Sequence, residues 1–266
     1  MGILLSNGDS FTYGDELEGY VDNQHDPHTF THKLASKLHM KYVNLARNGS
    51  SNMKIFRTTL DFLMHTNKKI DLVVIMWTNW GRFEVCEPFS LGSDKKIDIP
   101  QENNFNQIIP SHKSLSFAWS KPSNTNDNVE ERDRILKEYT ENVLTMQTQI
   151  YHGLTYMKTI QYICDLRGIA VIQGVIHGDM YLNYLSTLKN ESDNFQDYRE
   201  GVVKVFRSLR PECKVGLGGD IPAIYNLSSE KYTLKRFGHA DEDSHTEFAD
   251  MLFNITEQED WFEFGD

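Results

Sequence analysis

The chain has 266 residues, of which 39% are hydrophobic and 12% aromatic, enough apolar side chains for the core of one large domain. Its 27 Lys and Arg against 38 Asp and Glu leave a net charge of −11, which excludes general electrostatic binding to nucleic acid or anionic membranes. The three cysteines are widely spaced and form no CxxC pair, which argues against a disulfide scaffold or a zinc ribbon.

The N-terminus lacks the basic flank and the apolar segment of a signal peptide. No apolar run approaches the roughly 20 residues that span a bilayer. We therefore expect a cytoplasmic protein that has no membrane partner.

The first part of the chain alternates short apolar runs with amphipathic segments. The apolar runs predict buried parallel strands at 2–7, 42–46 and 70–77. Apolar residues at helical spacing predict helices at 29–40 and 52–65. The order of elements is strand, helix, strand, helix, strand.

The second part continues this alternation between two irregular insertions, at about 87–134 and 178–227. The patterns predict a long helix at 143–168, a buried strand at 169–176, a helix at 198–209 and a closing helix at 246–256. No repeat or linker interrupts the series. We expect one α/β domain over 1–266, a three-layer α/β/α sandwich with a mostly parallel central sheet.

Compact polar clusters follow the first three predicted strands. They are "GDS" at 8–10, "NGSSN" at 48–52 and "TN" at 78–79. Each alone reads as an ordinary turn or helix start. Because ligands collect beyond the carboxyl ends of parallel strands, we expect the three clusters to lie together at one site.

The order of these clusters, followed by a histidine ahead of the closing helix, resembles the SGNH (GDSL-type) hydrolase family. Gly8-Asp9-Ser10 matches the first family motif, Gly49 the second and Asn79 the third, and "GHADEDSHTEFADML" is similar to the last. The resemblance implies Ser10 as nucleophile and His239 as base, with no metal or cofactor. It also implies an oxyanion hole made by the amides of Ser10 and Gly49 with the Asn79 side chain.

The third motif departs from the family pattern. The family has Gly-x-Asn-Asp where this chain has "WTNW" at 77–80, and moving the alignment by one residue makes Thr78 the donor instead of Asn79. Thr78 and Asp9, which lies inside the first motif, are alternative site residues.

The last motif leaves the base and its acid open. The family has an Asp three residues before the catalytic histidine, but Arg236 stands three before His239. His245 has Glu242 at that offset and is the alternative base. The spacing from His239 to His245 reproduces the family's His-Pro…Gly-His pattern, although Ala240 and Ser244 replace its Pro and Gly. We favour His239.

The segment "IMWTNWGRFE" further resembles SGNH-like proteins encoded by tailed bacteriophages, which would place the protein in a host cytoplasm. We predict a serine esterase that hydrolyses an ester or O-acyl group on a small molecule or glycan through an acyl-enzyme. The alternative is a non-catalytic binding or virion-associated module of the same fold. The missing Asp before His239 keeps that alternative open.

A metal hydrolase is a third interpretation. Histidines and carboxylates cluster in "HDPHTFTH" at 25–32 and "HADEDSH" at 239–245. Neither spacing fixes a ligand geometry, so we interpret both as solvated loop residues. His177, just past the fourth strand, is as consistent with a substrate contact as with a surface histidine.

Overall fold

The computed structural model describes residues 2–17, 27–79, 82–86, 114–117, 146–178, 182–183, 196–218, 220–232, 234–235, 238–259 and 261. The predicted insertion at 87–134 lies outside these residues except for 114–117. Of the insertion at 178–227, most of 179–195 lies outside them as well.

Helices separate the strands of the central sheet along the chain, as the sequence predicts. In chain order they are β1 (Ile3–Asn7), α1 (Ser10–Tyr13), α2 (Phe30–Lys37), β2 (Lys41–Asn44), α3 (Asn52–His65), β3 (Leu72–Trp77), β4 (Phe83–Cys86), β5 (Ser114–Phe117), α4 (Met146–Arg167), β6 (Ala170–Val175), α5 (Gln196–Ser208), a 3₁₀ turn (Pro211–Cys213), α6 (Ile224–Lys231) and α7 (Glu242–Gln258).

The central sheet has the strand order β2-β1-β3-β6, and each of its three pairings is parallel. Every residue of β3 is buried, because helices cover both faces of the sheet. The predicted α/β/α sandwich with a parallel sheet is therefore confirmed.

Side chains of successive strand residues enter two separate cores. Leu5, Val73 and Ile75 point to one face and pack with α3, α4 and α5. Leu4 and Val74 point to the other and pack with α2, α6 and α7. This alternation follows from the two-residue period of a strand. It leaves the carboxyl edge of the sheet as the place where loops from several strands meet.

One residue extends the sheet beyond β6. Val215 forms an isolated parallel bridge with Gly174. Its carbonyl accepts from the Val175 amide at 3.0 Å, and its own amide donates to the Gln173 carbonyl at 3.1 Å. A Cβ on Gly174 would lie 2.8 Å from the Val215 Cβ, so the glycine permits this close approach.

Three details differ from the sequence-based expectation. β4 and β5 pair as an antiparallel two-stranded sheet, of which only the β5 segment has an alternating pattern. α6 falls at the end of the region expected to be irregular. α7 begins at Glu242 and not near 246, because Asp241 caps it by accepting from the Ser244 amide at 2.9 Å. No described helix is both long and apolar enough to cross a membrane.

Candidate active site

The carboxyl ends of β1 and β3 meet at the centre of the sheet. The strands pair in parallel from Leu4 opposite Leu72 to Asn7 opposite Ile75, so the loops that follow them leave the same edge. The chain places β2 on one side of β1 and β3 on the other, which makes this the point where the strand order reverses. Open α/β sheets bind ligands at such a point.

Ser10 is the first residue of α1, just after β1. Its carbonyl accepts from the amides of Gly14 and Asp15, both at 3.0 Å, which closes a compact turn. Ser10 is 5% exposed. Among the described residues, nothing hydrogen-bonds its hydroxyl or its amide. The turn thus fixes the position of Ser10, while its hydroxyl and amide have no hydrogen-bond partner among the described residues.

Gly8 lets the chain turn closely between β1 and α1. A Cβ at this position would lie 2.1 Å from Thr12 Oγ1 and 3.0 Å from the Met76 carbonyl oxygen. Both distances are below van der Waals contact, so a larger residue would displace α1 or the end of β3. The glycine of the first motif is therefore required by packing.

Two buried asparagines tie the strand ends to neighbouring helices. Asn7 Nδ2 donates to the Ile55 carbonyl at 3.0 Å and to Thr59 Oγ1 at 2.9 Å, both in α3. Asn44 Nδ2 donates to the Thr12 carbonyl in α1 at 3.1 Å. These bonds satisfy buried backbone oxygens and hold the turn of Ser10 against the sheet.

Gly49 occupies the turn between β2 and α3. Its φ of +68° lies in the left-handed region, and an added Cβ would meet nothing within 4 Å. The space beside it is open, and its amide has no acceptor among the described residues. Ser51 ends the turn as N-cap of α3 by accepting from the Lys54 amide at 3.2 Å.

Asn52 positions the loop after β3. Its Oδ1 accepts from the Thr78 amide at 2.9 Å, and its Nδ2 donates to the Thr78 carbonyl at 3.1 Å. The Thr78 hydroxyl donates to Asp9 Oδ2 at 2.5 Å, so its proton is committed to that carboxylate. Asn79 follows in the chain and is half-buried. The Thr78 hydroxyl therefore has no second proton to donate to a bound group.

The Asp9 carboxylate joins the first and third motifs. Its Oδ1 accepts from the Phe11 amide at 3.1 Å, and its Oδ2 accepts from Thr78 and from Arg82 Nη1, the latter at 2.8 Å. The Asp9 side chain is 1% exposed and that of Arg82 is 24% exposed. Because this buried carboxylate accepts three hydrogen bonds, it stabilises the contact between the loop after β1 and the loop after β3.

His177 lies beside the same charged pair. Burial lowers its pKa, the nearby Asp9 carboxylate opposes this effect, and Arg82 adds to it. The imidazole meets the Phe11 ring edge-on at 5.9 Å and the Tyr225 ring at 4.4 Å between centroids. His177 thus lies just past β6 at the carboxyl edge of the sheet, and both interpretations of its role stay open.

His239 approaches the turn of Ser10 from the segment before α7. Its Nδ1 lies 2.7 Å from Glu16 Oε2, and its ring meets that of Phe11 at 5.2 Å between centroids. Phe11 is the neighbour of Ser10 in α1. The structure thus brings His239 to the turn that carries Ser10 and gives its imidazole a carboxylate partner.

His245 lies in the first turn of α7, inside the protein. Its Nδ1 accepts from the Phe30 amide at 3.0 Å, and the two rings stack at 5.6 Å. His245 is 1% exposed, and burial lowers its pKa to about 3. Glu242 does not pair with it: Oε1 of Glu242 contacts His28 Nδ1 at 2.6 Å and Lys33 Nζ at 3.0 Å. The hydrogen bond from His28 lowers the pKa of Glu242.

The two His- and Asp-rich segments considered as metal ligands, at 25–32 and 239–245, do not form a metal site within the described residues. His25 and Asp26 lie outside these residues, and within them no group of three or more His, Cys, Asp or Glu side chains could hold a metal ion. His32 instead meets the Tyr42 ring edge-on at 5.2 Å.

Sequence reasoning missed two residues of this site, Glu16 and Asn52. Glu16 lies in "TYGDEL" after the first motif, more than 200 residues before His239. The acidic pair Asp15-Glu16 beside the candidate nucleophile was the available signal. Asn52 ends the "NGSSN" cluster, but nothing in the sequence indicates that its amide group binds Thr78.

Solved structures similar to this chain include a carbohydrate esterase family 2 enzyme with a carbohydrate-binding domain from Corynascus thermopiles (Myceliophthora fergusii). It is 12% identical, the match covers 98% of this chain and 67% of that one, and the TM-score is 0.51. A member of the lipolytic protein G-D-S-L family from Veillonella parvula is 10% identical, with 97% and 100% covered and a TM-score of 0.46. At such identity the likeness concerns the fold, which is SGNH hydrolase-like.

Among curated proteins, no match to the chain is found. The model of a protein family described as a family of unknown function, DUF6071, matches residues 14–158. This match spans more than half of the 266 residues, and the chain therefore belongs to the DUF6071 family.

Proposed function

We propose that the protein is a serine esterase that hydrolyses an ester or O-acyl group on a small molecule or glycan. The observation that carries this proposal is the approach of His239, with its Nδ1 on a carboxylate, to the turn that begins at Ser10. A serine, an imidazole and a carboxylate at the reversal point of a parallel sheet suit acyl transfer.

In the first half of the proposed reaction, His239 Nε2 removes the proton of the Ser10 hydroxyl. The Oγ attacks the ester carbonyl carbon, and the tetrahedral intermediate collapses as Nε2 returns the proton to the leaving alcohol. In the second half, water gives its proton to Nε2 and attacks the acyl-enzyme. The acid is released and Ser10 regains its proton.

The oxyanion is met by the Ser10 and Gly49 amides and the Asn79 side chain. Both amides are unengaged among the described residues, and the space beside Gly49 is open. Asp9 and Asn52 hold the surrounding loops through Thr78. Preorganised donors of this kind need no rearrangement as charge develops, and loss of one typically costs about 100- to 1000-fold in rate.

The aromatic side chains around the site suit an uncharged acyl or sugar group. Phe11, which follows Ser10 in the chain, forms a contiguous set of rings with His177 and Tyr225, and burial keeps His177 neutral over a wider pH range. The similar protein from Corynascus thermopiles is a carbohydrate esterase by name, and its fold agrees with this proposal.

Labelling with a fluorophosphonate tests the nucleophile. Such a probe forms a covalent adduct only with an activated serine, so peptide mass spectrometry is expected to place the adduct on Ser10. His239→Ala should slow labelling strongly, and Ser10→Ala should abolish it. Absence of an adduct on folded wild-type protein would favour a non-catalytic binding module of the same fold.

A further inference from the structure

We propose that Glu16 is the positioning residue that holds the imidazole of His239 for proton transfer, an inference that rests on the proposed esterase function. Glu16 Oε2 lies 2.7 Å from His239 Nδ1. A carboxylate can only accept, so the proton of this bond belongs to Nδ1 and the lone pair of the neutral ring belongs to Nε2. Nε2 is the atom that must take the Ser10 proton.

The contact between Glu16 and His239 is sheltered from water. Their side chains are 16% and 14% exposed, whereas those of the surface pair Glu247 and Lys231 are 25% and 58% exposed. The Phe11 ring covers part of the imidazole at 5.2 Å. Exposed pairs exchange geometries and contribute little, but a sheltered pair keeps one orientation of the ring.

The backbone fixes Glu16 to the turn of Ser10. The Asp15 amide donates to the Ser10 carbonyl at 3.0 Å, and the buried Leu17 follows with its amide on the Gly14 carbonyl at 3.3 Å. Glu16 between them has a φ of +67°. Non-glycine residues in this region are strained, persist where the surroundings enforce them, and cluster at functional sites.

This arrangement supplies the acid that the last motif lacks. Arg236 stands three residues before His239, where the SGNH family that the sequence resembles has its Asp. Here the carboxylate comes from the turn that carries the nucleophile, and the base approaches from the opposite end of the chain. One turn thereby presents the nucleophile and orients the base.

Two substitutions of Glu16 distinguish the effect of its carboxylate from the effect of its left-handed backbone conformation. Asn and Asp both tolerate the left-handed region better than Glu, but only Asp keeps the charge. We expect Glu16→Asn to fold at least as stably as wild type while kcat for p-nitrophenyl acetate falls by about 100-fold or more, with KM little changed. Glu16→Asp should recover at least about tenfold of the lost kcat, since it restores a carboxylate. Asp15→Asn, next in the chain, is the matched control and should stay within about twofold of wild type.

Proton NMR provides a readout that does not depend on turnover. The Nδ1 proton of His239, bonded to a carboxylate, should give a downfield signal in wild type and Ser10→Ala that Glu16→Asn and His239→Ala both lose. A wild-type spectrum without that signal would overturn the pairing. Ser10-dependent hydrolysis undiminished in Glu16→Asn would overturn only the role of Glu16, whereas wild-type protein without Ser10-dependent hydrolysis would overturn the esterase proposal itself.

Discussion

Gly8 is the residue of the first motif whose identity packing alone explains. Replacing it with Ala puts a methyl group against Thr12 and the Met76 carbonyl. We expect Gly8→Ala to lower the free energy of unfolding by about 1–3 kcal/mol, as for other overpacked sites. Because Ser10 shifts with α1, kcat/KM should fall by about 100-fold. Urea unfolding and ester hydrolysis measure the two effects.

Thr12 provides an internal check of that explanation. Its Oγ1 is buried without a hydrogen-bond partner among the described residues, so Thr12→Ala removes the closest obstacle without breaking a bond there. Gly8→Ala should therefore be less damaging in a Thr12→Ala background. Gly201→Ala in α5, where the nearest outside atom is 3.9 Å from the added Cβ, should instead stabilise by about 0.5–1 kcal/mol. Equal damage from Gly8→Ala in both backgrounds would contradict the steric account.

At the scale of elements, α3 holds the loop that follows β3. Asn52→Ala leaves the Thr78 amide and carbonyl without the bonds that now fix them. We expect a loss of about 1–3 kcal/mol in the free energy of unfolding, since buried polar groups become unsatisfied. Asn79 follows Thr78, so kcat should fall by about 10- to 100-fold as the proposed oxyanion donor moves.

The exposed Asn254 of α7 is the matched control for this prediction. Asn254→Ala changes the same residue type away from the site, and it should leave both kcat and stability nearly unchanged. If Asn52→Ala lost stability but kept full kcat, the loop after β3 would not carry an oxyanion donor.

The elements of the sandwich were predictable because their patterns are local. The apolar run of β3 and the helical spacing in α3 specify both the element and its buried face. α6 was missed because its short segment depends on packing under α7 for stability. β4 was missed because its partner β5 lies far along the chain.

The sequence predicts the candidate site only where a motif orders its residues along the chain. Ser10 follows the first strand, and its place at the reversal point of the sheet follows from the strand order. The pairing of Glu16 with His239 joins opposite ends of the chain, and only the folded backbone sets that distance. For the same reason, sequence spacing allowed His245 as a base although its ring is enclosed against Phe30.

For the molecule as a whole, His245 links stability to pH. Burial lowers its pKa to about 3, with Lys33 adding to the effect and Asp241 opposing it. An unfolded chain takes up this proton near its ordinary value of about 6.5. Between pH 3 and 6.5 the unfolded state binds a proton at His245 that the folded state does not bind. The contribution of neutral, buried His245 to the free energy of unfolding is therefore complete above pH 6.5 and decreases as the pH falls below it.

Comparison with His245→Asn isolates this effect. The Asn Oδ1 can still accept from the Phe30 amide, but it does not titrate. Between pH 6.5 and 5, we expect wild type to lose about 1.5 kcal/mol more unfolding free energy than His245→Asn does. Urea titrations at a series of pH values measure the difference, with His152→Asn on the surface of α4 as control. If the unfolding free energies of wild type and His245→Asn changed equally with pH, His245 would bind its proton equally well in the folded and unfolded states, and the proposed link would be wrong.

The bridge between Val215 and Gly174 also affects whether a second copy of the protein can pair with the edge of the sheet. Exposed backbone groups along an outer strand invite strand addition by a second chain, a common route to aggregation. Val215 occupies the Gln173 carbonyl and the Val175 amide on the outer side of β6. At the opposite border, β2 is only four residues long and begins with the exposed Lys41. Short length and a charged side chain both discourage strand addition, so each border of the sheet formed by the described strands has its own protection against intermolecular pairing.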